Sequence, residues 1–487
     1  MKKLLLYLLI IINISTTHAQ NVGIGTNNPT QKLDVNGAIK VGAGSGNVAA
    51  GTLQWNADKN DFEGYTGTRW VSLTGGRANW GNQLSYGTES SVIGLELFSY
   101  MENMNRQSGH LLGFSLALSG DLLVAGAPAD VHPNLGVHEA GSVRVFKKTA
   151  AGWQYLSDII SPYPGSERQF GRSVSMDGNF LLAGEHGANA LQGRAYIFSV
   201  DNNGAAVLRA NLIAPDAVND DYFGYAAALS GNNAAVGAPY KSINGNLQQG
   251  KVYFYRRDVA ANIWLPLPAV TSPDATVLER FGESISMSGN LVAIAAPTAT
   301  LNGYQENRGK VFIYQLNGNA WNLTASFTSP EYIGREMFGK SLFLKGDTLL
   351  VGATQYVYQP DNGNGRVHLY IRNGNNWVYQ TTLTASDGKK SDAFGSSVYL
   401  HNGYIAVGAE SAGVAGVNDA GKVYVFKKAG NNWLQQAILT SSDPIEGTHG
   451  PALGKALVIA GNTIIAGAPY TIFNDIQHNG QLYFFNK

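Results

Sequence analysis

A unit of about 57 residues recurs seven times along this chain, and no other feature constrains the fold as much. Its anchor is a glycine: Gly113, Gly171, Gly224, Gly282, Gly339, Gly395 and Gly454, at spacings of 58, 53, 58, 57, 56 and 59 residues. Five of the seven follow Phe. Two residues after the anchor stands a small side chain, Ser115, Ser173, Ala226, Ser284, Ser341, Ser397 or Ala456. Three and five after it the residue is always apolar, from Leu116 and Leu118 in the first copy to Leu457 and Ile459 in the last. A period of two marks a strand with one buried face.

Seven residues after the anchor comes Gly120, Gly178, Gly231, Gly289, Gly346 or Gly461, with Asn402 in the sixth copy. Words such as SGD, DGN and SGN predict a tight hairpin, because Gly and Asn tolerate positive φ. A second strand follows (LLVAGAP, AAVGAP, LLVGAT), then a loop of roughly ten residues, then a third strand opened by Gly and closed by an aromatic (GSVRVF, GKVYFY, GQLYFF). Each such aromatic, once buried, contributes about 1.5 to 3 kcal/mol. A fourth strand starts at Trp153, Trp264, Trp321, Trp377 and Trp433, and the second copy uses AAVLRANLIAP instead. The composition agrees: there are 59 glycines, against about 34 at a usual usage of roughly 7%.

Seven four-stranded antiparallel meanders predict an all-β fold, a seven-bladed β-propeller, with residues 94–487 as the ring. The seventh copy ends at GQLYFFNK without a fourth strand. The spacing assigns that strand to residues 94–101, within GLELFSYMEN, as a clasp, and reads 77–93 as a linker. The pattern FGxSVxLxGxxLxVGAP followed by GxVYVF resembles FG-GAP repeats, as in the propeller of integrin α subunits, in a bacterial branch with short turns. Calcium-binding repeats of that family carry an Asp-x-Asp-x-Asp-Gly loop between strands one and two. Here the connection holds one acid at most, Asp121, Asp177 or Asp347, so no calcium or other cofactor is expected. Asn219, Asp220 and Asp221, in another loop, are a lesser cation candidate.

The N-terminus, MKKLLLYLLIIINISTTHAQ, has a basic start, an apolar run and small residues before a cut at Gln20. It reads as a secretory signal peptide over residues 1–19, which directs export to the cell surface, the medium or the periplasm. Residues 20–76, with VGIGT, KLDVNG and a hairpin-like GTLQWNADKNDFEGYTGTRWVSL, resemble segments of bacterial surface and tail-fibre-like proteins. That resemblance implies a stem and a homotrimer through 20–76. No cysteine is present, which excludes a thiol nucleophile, a thiolate metal site and a lipid-modified N-terminal Cys. Lys and Arg equal Asp and Glu at 34 each, which argues against nucleic acid as a partner, and no later stretch is apolar enough to span a membrane. The chain closes on its last strand, so no further C-terminal sorting domain is expected.

GREMFGKS at 334–341 spells a P-loop through Gly334, Gly339, Lys340 and Ser341. A phosphate cradle needs a helix after Lys-Ser, whereas SLFLKGDTLLVGAT alternates as strand, turn, strand. Nucleotide binding is therefore rejected. The nine histidines form no HExxH, and no G-x-S-x-G elbow occurs. The expected role is non-enzymatic recognition of an extracellular protein or glycan. The long connections, between strands two and three and between four and the next one, vary between copies and share one face of the disc. Their candidate contact residues are His132, His138, Tyr240, Asn244, Tyr304, Tyr356, Tyr358, Asn362, Phe473 and His478. Two alternatives stand: a polysaccharide hydrolase or lyase using carboxylates such as Glu279, Glu283 and Glu336 at the channel mouth, and a structural part of a surface fibre.

Overall fold

The computed structural model describes residues 109–131, 136–150, 152–300, 307–331, 335–354, 363–374, 376–414, 416–441, 450–471 and 480–486, together with seven short strands upstream of them. Residues 1–19 and the expected clasp at 94–101 lie outside this set. The chain divides into two compact units, 1–75 and 76–487. In the first, Val22–Ile24 pairs in parallel with Leu33–Val35. The hairpin expected downstream carries a third strand: Leu53–Asn56, Asp61–Tyr65 and Trp70–Ser72 form an antiparallel meander.

The second unit is a seven-bladed propeller of four-stranded antiparallel sheets. Blade one shows the plan: Ser115–Ser119, Leu122–Ala127, Ser142–Thr149 and Gly152–Ile160, each paired with the next. The first strands of successive blades neighbour one another in an unbroken circle, Leu457–Ala460 of blade seven returning to Ser115–Ser119 of blade one. In blades one to six the pairing of strands three and four slips by a β-bulge next to the third-strand aromatic, for example between Val145 and Phe146 and between Leu369 and Tyr370. A bulge adds twist, which a radial blade needs towards its rim.

Blade seven takes its outer strand from Ser91–Ile93, antiparallel to Gln481–Asn486 with Val92 opposite Tyr483. A second upstream strand, Ser85–Gly87, adds in parallel to the outer strand of blade six, Asn432–Leu439. Both lie within the stretch read from sequence as a linker. Their brevity and lack of alternation explain why no strand pattern was visible there.

The core is divided seven ways. Each apolar cluster is built from two successive blades, from Val143, Phe170 and Tyr196 between blades one and two to Leu123, Phe146 and Phe484 between blades one and seven. The fourth-strand tryptophans serve these interfaces. Trp321 stacks on Phe254 of the preceding blade at 4.9 Å, and Trp153 meets Phe484 at 6.1 Å across the ring closure. A recurring latch joins the rim to the long-loop face. The Lys or Arg that opens strand three pairs with an acid in the loop entering its own blade: Lys251–Asp216 at 2.9 Å, Lys310–Asp274 at 2.7 Å, Arg366–Glu331, and Lys422–Asp387 at 2.7 Å. In blade two Tyr163 takes the place of the acid, and Arg194 lies over its ring at 5.2 Å.

Candidate functional site at the channel mouth

The Phe-Gly anchor is the centre of a turn. In all seven copies the N–H of the residue after the glycine donates to the carbonyl of the residue two before it, at 3.0–3.2 Å. The glycine φ lies between +86° and +95°, as the third position of a type II turn requires. The turn's first residue is also left-handed, at +51° to +60°: Leu111, Gln169, Tyr222, Arg280, Met337, Ala393 and Ala452. The residue before the glycine donates its N–H to the segment opening strand three of the preceding blade, as in Phe223 to Gln192 at 3.1 Å and Phe394 to Asn364 at 3.0 Å. Seven identical turns, each at the start of an innermost strand, therefore ring one end of the channel.

The backbone fixes the turns, and their two end residues vary. Those after the glycine are Phe114, Arg172, Tyr225, Glu283, Lys340, Ser396 and Lys455, all half-buried except the buried Glu283. Their side chains reach across blade boundaries. The Arg172 guanidinium lies over Phe114 at 4.9 Å and over Tyr225 at 5.1 Å. Lys455 approaches the same Phe114 ring at 5.2 Å and pairs with Glu410 at 2.7 Å. Lys340 Nζ pairs with Glu283 Oε1 at 2.7 Å. Tyr222 and Tyr240 meet at 4.6 Å, Tyr225 and Tyr240 at 6.0 Å, and Arg280 lies over Tyr240 at 4.8 Å. His186 packs against Tyr222 and Tyr225 at 5.4 and 5.9 Å.

The electrostatics favour positive charge. Arg280 and Lys340 share Glu283, Lys455 pairs with Glu410, and Arg172 pairs with neither. Burial, reinforced by Arg172, pushes the His186 imidazole down to about 3, so it stays neutral near pH 7. Burial opposes the charged form of Lys340, yet the Glu283 carboxylate more than offsets it and the ammonium is held above its usual range. A separate titratable network in blade one is closed to solvent. Buried Asp130 accepts hydrogen bonds from Ser142 Oγ at 2.7 Å, from Arg144 Nη2 at 3.0 Å, and from His110.

Of the ligand-face candidates, Tyr240 belongs to this mouth. Asn244 is exposed at the tip of a turn closed by Ile243 and Asn246, and His138 is exposed on the first long loop. His132, Tyr304, Tyr356, Tyr358, Asn362, Phe473 and His478 lie outside the described residues, as does Gly334. Gly339, Lys340 and Ser341 lie within the strand Phe338–Lys345, where Ser341 Oγ donates to the Gly395 carbonyl of the next blade at 2.7 Å. Glu279 is fully buried and accepts hydrogen bonds from Ser272 Oγ and Thr276 Oγ1 at 3.0 Å each, while burial pushes its carboxyl up. Glu336 is buried as well. Asp221 is buried in an ion pair with Lys241 at 2.8 Å, and Asn219 accepts from Gln192. Among the described residues no group of three His, Asp or Glu side chains is placed to hold a metal, and no helix is long and apolar enough to cross a membrane.

The ligand-face residues expected from the sequence do not include Arg172, Tyr225, Phe114 or Lys455, which follow the anchor glycines. One signal was available. A column that varies at the mouth end of an innermost strand, beside invariant columns, is a surface presented by a fixed frame.

The FG-GAP repeat model matches residues 207–255 and 377–426. Each match begins in the outer strand of one blade and ends in strand three of the next, so the repeat is offset from the blade by one strand. No curated protein matches the chain. Among solved structures it is similar to the crystal structure of Saccharomyces cerevisiae Sqt1, with 10% identity and a TM-score of 0.43 over 78% of this chain and 97% of that one. It is also similar to a chain of the Mitotic Checkpoint Complex, with 12% identity and a TM-score of 0.45 over 82% and 94% respectively. Two stretches of this chain thus match the FG-GAP repeat, and its seven glycine turns stand on the seven four-stranded blades of a β-propeller.

Proposed function

We propose that this is an exported, non-enzymatic recognition protein that binds an extracellular protein or glycan through the long-loop face of its propeller. The observation that carries this reading is the mouth itself. Half-buried tyrosines and cations are gathered there from four successive blades onto turns whose backbone is held by the ring. Aromatic side chains beside a few fixed polar groups are the usual lining of a binding site. The carboxylates that a glycosidase would need support recognition instead. Glu279 is buried and capped within its own loop, and Glu283 is paired with Lys340. The signal-peptide pattern of residues 1–19 supports export.

A glycan and surface-protein array probed with the mature protein tests this. Binding that Tyr240→Ala abolishes and Asp121→Ala, on the opposite hairpin face, leaves intact is the expected result. Binding indifferent to Tyr240 and to the other mouth residues would sink the assignment of this face.

A further inference from the structure

We infer that the ligand of the mouth is an acidic saccharide, seated with its carboxylate on Arg172; this rests on reading the long-loop face as the binding face. Arg172 is the unusual group. Among the described residues its guanidinium makes no hydrogen bond or ion pair, and its neighbours are the faces of Phe114 and Tyr225. The other cations of the mouth each have a carboxylate: Lys340 and Arg280 have Glu283, and Lys455 has Glu410. A guanidinium stacked between two rings is held in position with its N–H edge uncommitted, and that edge matches a carboxylate with two parallel hydrogen bonds.

A second observation points the same way. His186 is 6% exposed and its Nδ1 meets no hydrogen-bond partner, directly beside Tyr222 and Tyr225. A buried polar atom of this kind calls for an outside partner, such as a ligand hydroxyl or a bridging water.

The aromatic surroundings decide between anion classes. Tyr222, Tyr225 and Tyr240 form one half-buried patch beside Arg172, with ring separations of 4.6 and 6.0 Å through Tyr240. A uronate sugar carries a flat C–H face, several hydroxyls and a carboxylate on one ring, so it can cover a tyrosine while its charge reaches an arginine stacked on the adjoining one. An acidic peptide side chain offers the charge without the adjoining apolar face.

The test uses the full chain and isothermal titration with a short oligogalacturonate, the same oligomer with its carboxylates reduced to alcohols, and a glutamate peptide of equal charge. The oligogalacturonate is expected to bind, and the reduced oligomer to bind at least about tenfold more weakly. Arg172→Met should weaken the acidic oligomer about 10- to 100-fold, the effect of losing a charge-assisted bidentate contact. Arg172→Lys, which keeps the charge and the stack, should lose less and guards against a folding artefact in the Met variant. No binding of the oligogalacturonate, equal binding of the reduced oligomer, tighter binding of the peptide, or an Arg172→Met affinity within twofold of wild type each overturns the inference. A neutral glycan or a protein whose binding needs Tyr240 but not Arg172 overturns it while leaving the loop-face reading intact. Binding that needs neither residue overturns both.

Discussion

Each innermost strand is held at both ends by its neighbours, and the two ends are held differently. At the Phe-Gly end the bonds are accepted by backbone carbonyls and the packing is close. The strand-two glycine of one blade lies so near the anchor glycine of the next that a Cβ on Gly126, Gly184, Gly237, Gly352, Gly408 or Gly467 would fall 1.9–2.2 Å from that glycine's carbonyl oxygen. The small side chain two residues after the anchor completes the joint. Ser115, Ser173, Ser341 and Ser397 donate to the next anchor carbonyl at 2.6–2.8 Å. Blade four is the exception that explains the rule: Ala295 replaces the strand-two glycine, and Ser284 makes no such bond. At the hairpin end the joints are exposed side chains. Asp177 Oδ2 accepts from Gly231 N at 2.6 Å, and Ser230 and Ser288 Oγ accept from Gly289 and Gly346 N at 2.9 Å. A joint made of backbone leaves the side chains of its turn free to vary, and this is why the recognition surface sits at the Phe-Gly end.

The strongest challenge to this contrast is Gly184→Ala. Its backbone φ is ordinary, so the cost is steric alone: the methyl would lie 2.0 Å from the Gly224 carbonyl, against rigid backbone. Separating blades two and three to relieve the overlap should cost about 3 kcal/mol, the upper range for overpacking. A urea or thermal melt of the purified variant reads it. A loss below about 1 kcal/mol would show that the interblade joint can open, and the contrast between the ends would fail.

Acid offers a graded test of the same end. The folded pKa of His186 is pushed down to about 3 and that of His368 to about 4, in each case first by burial and then by a neighbouring arginine. Both values lie below the ordinary one of about 6.5. As pH falls below about 6.5, the unfolded chain takes up protons that the folded chain refuses. Stability then drops by up to about 1.4 kcal/mol per pH unit for each histidine, until the folded value is reached. His186→Gln should therefore flatten the fall in melting temperature between pH 6.5 and 4 relative to wild type. An unchanged slope would mean that the imidazole beside Tyr222 and Tyr225 is not shielded from solvent as its burial implies.

The frame of this protein was legible in its sequence because the frame is made of columns. Glycine at one fixed place, serine two residues on, and alternating apolar residues after that each answer a local demand repeated seven times. The mouth was not legible, because its residues answer to one another across blades and not to their own repeat. Arg172 matters through Phe114 and Tyr225, which stand 58 and 53 residues away in sequence, and only the packing of successive blades makes them neighbours. The latch acids were hidden for a milder reason. Asp216, Asp274 and Asp387 look like loop polarity until Lys251, Lys310 and Lys422 are seen opposite them. The outer strand Ser91–Ile93 was missed because three residues carry no periodicity to read.

The smallest expected effect sharpens the contrast from its other side. Gly231, at the hairpin end, has φ +57°, and a Cβ built there meets nothing within 4 Å. Space is open, so only the backbone constrains this position: Gly231 has positive φ and Asn232 does not, the pattern of a type II′ turn with glycine first. The sixth blade closes its two-residue hairpin differently, with Asn402 at φ +48° and Gly403 at +75°, both positive as a type I′ turn requires. The hydrogen bond from Gly231 to Asp177 uses the backbone N–H and survives the change. Gly231→Asn combined with Asn232→Gly, which installs the Asn-Gly turn of the sixth blade, should therefore move stability by no more than about 0.5 kcal/mol, measured in the same melt as Gly184→Ala. A cost near that of Gly184→Ala would show that the hairpin end is as tightly specified as the Phe-Gly end. The freedom to vary side chains at the mouth would then need a cause other than the way the strand is joined there.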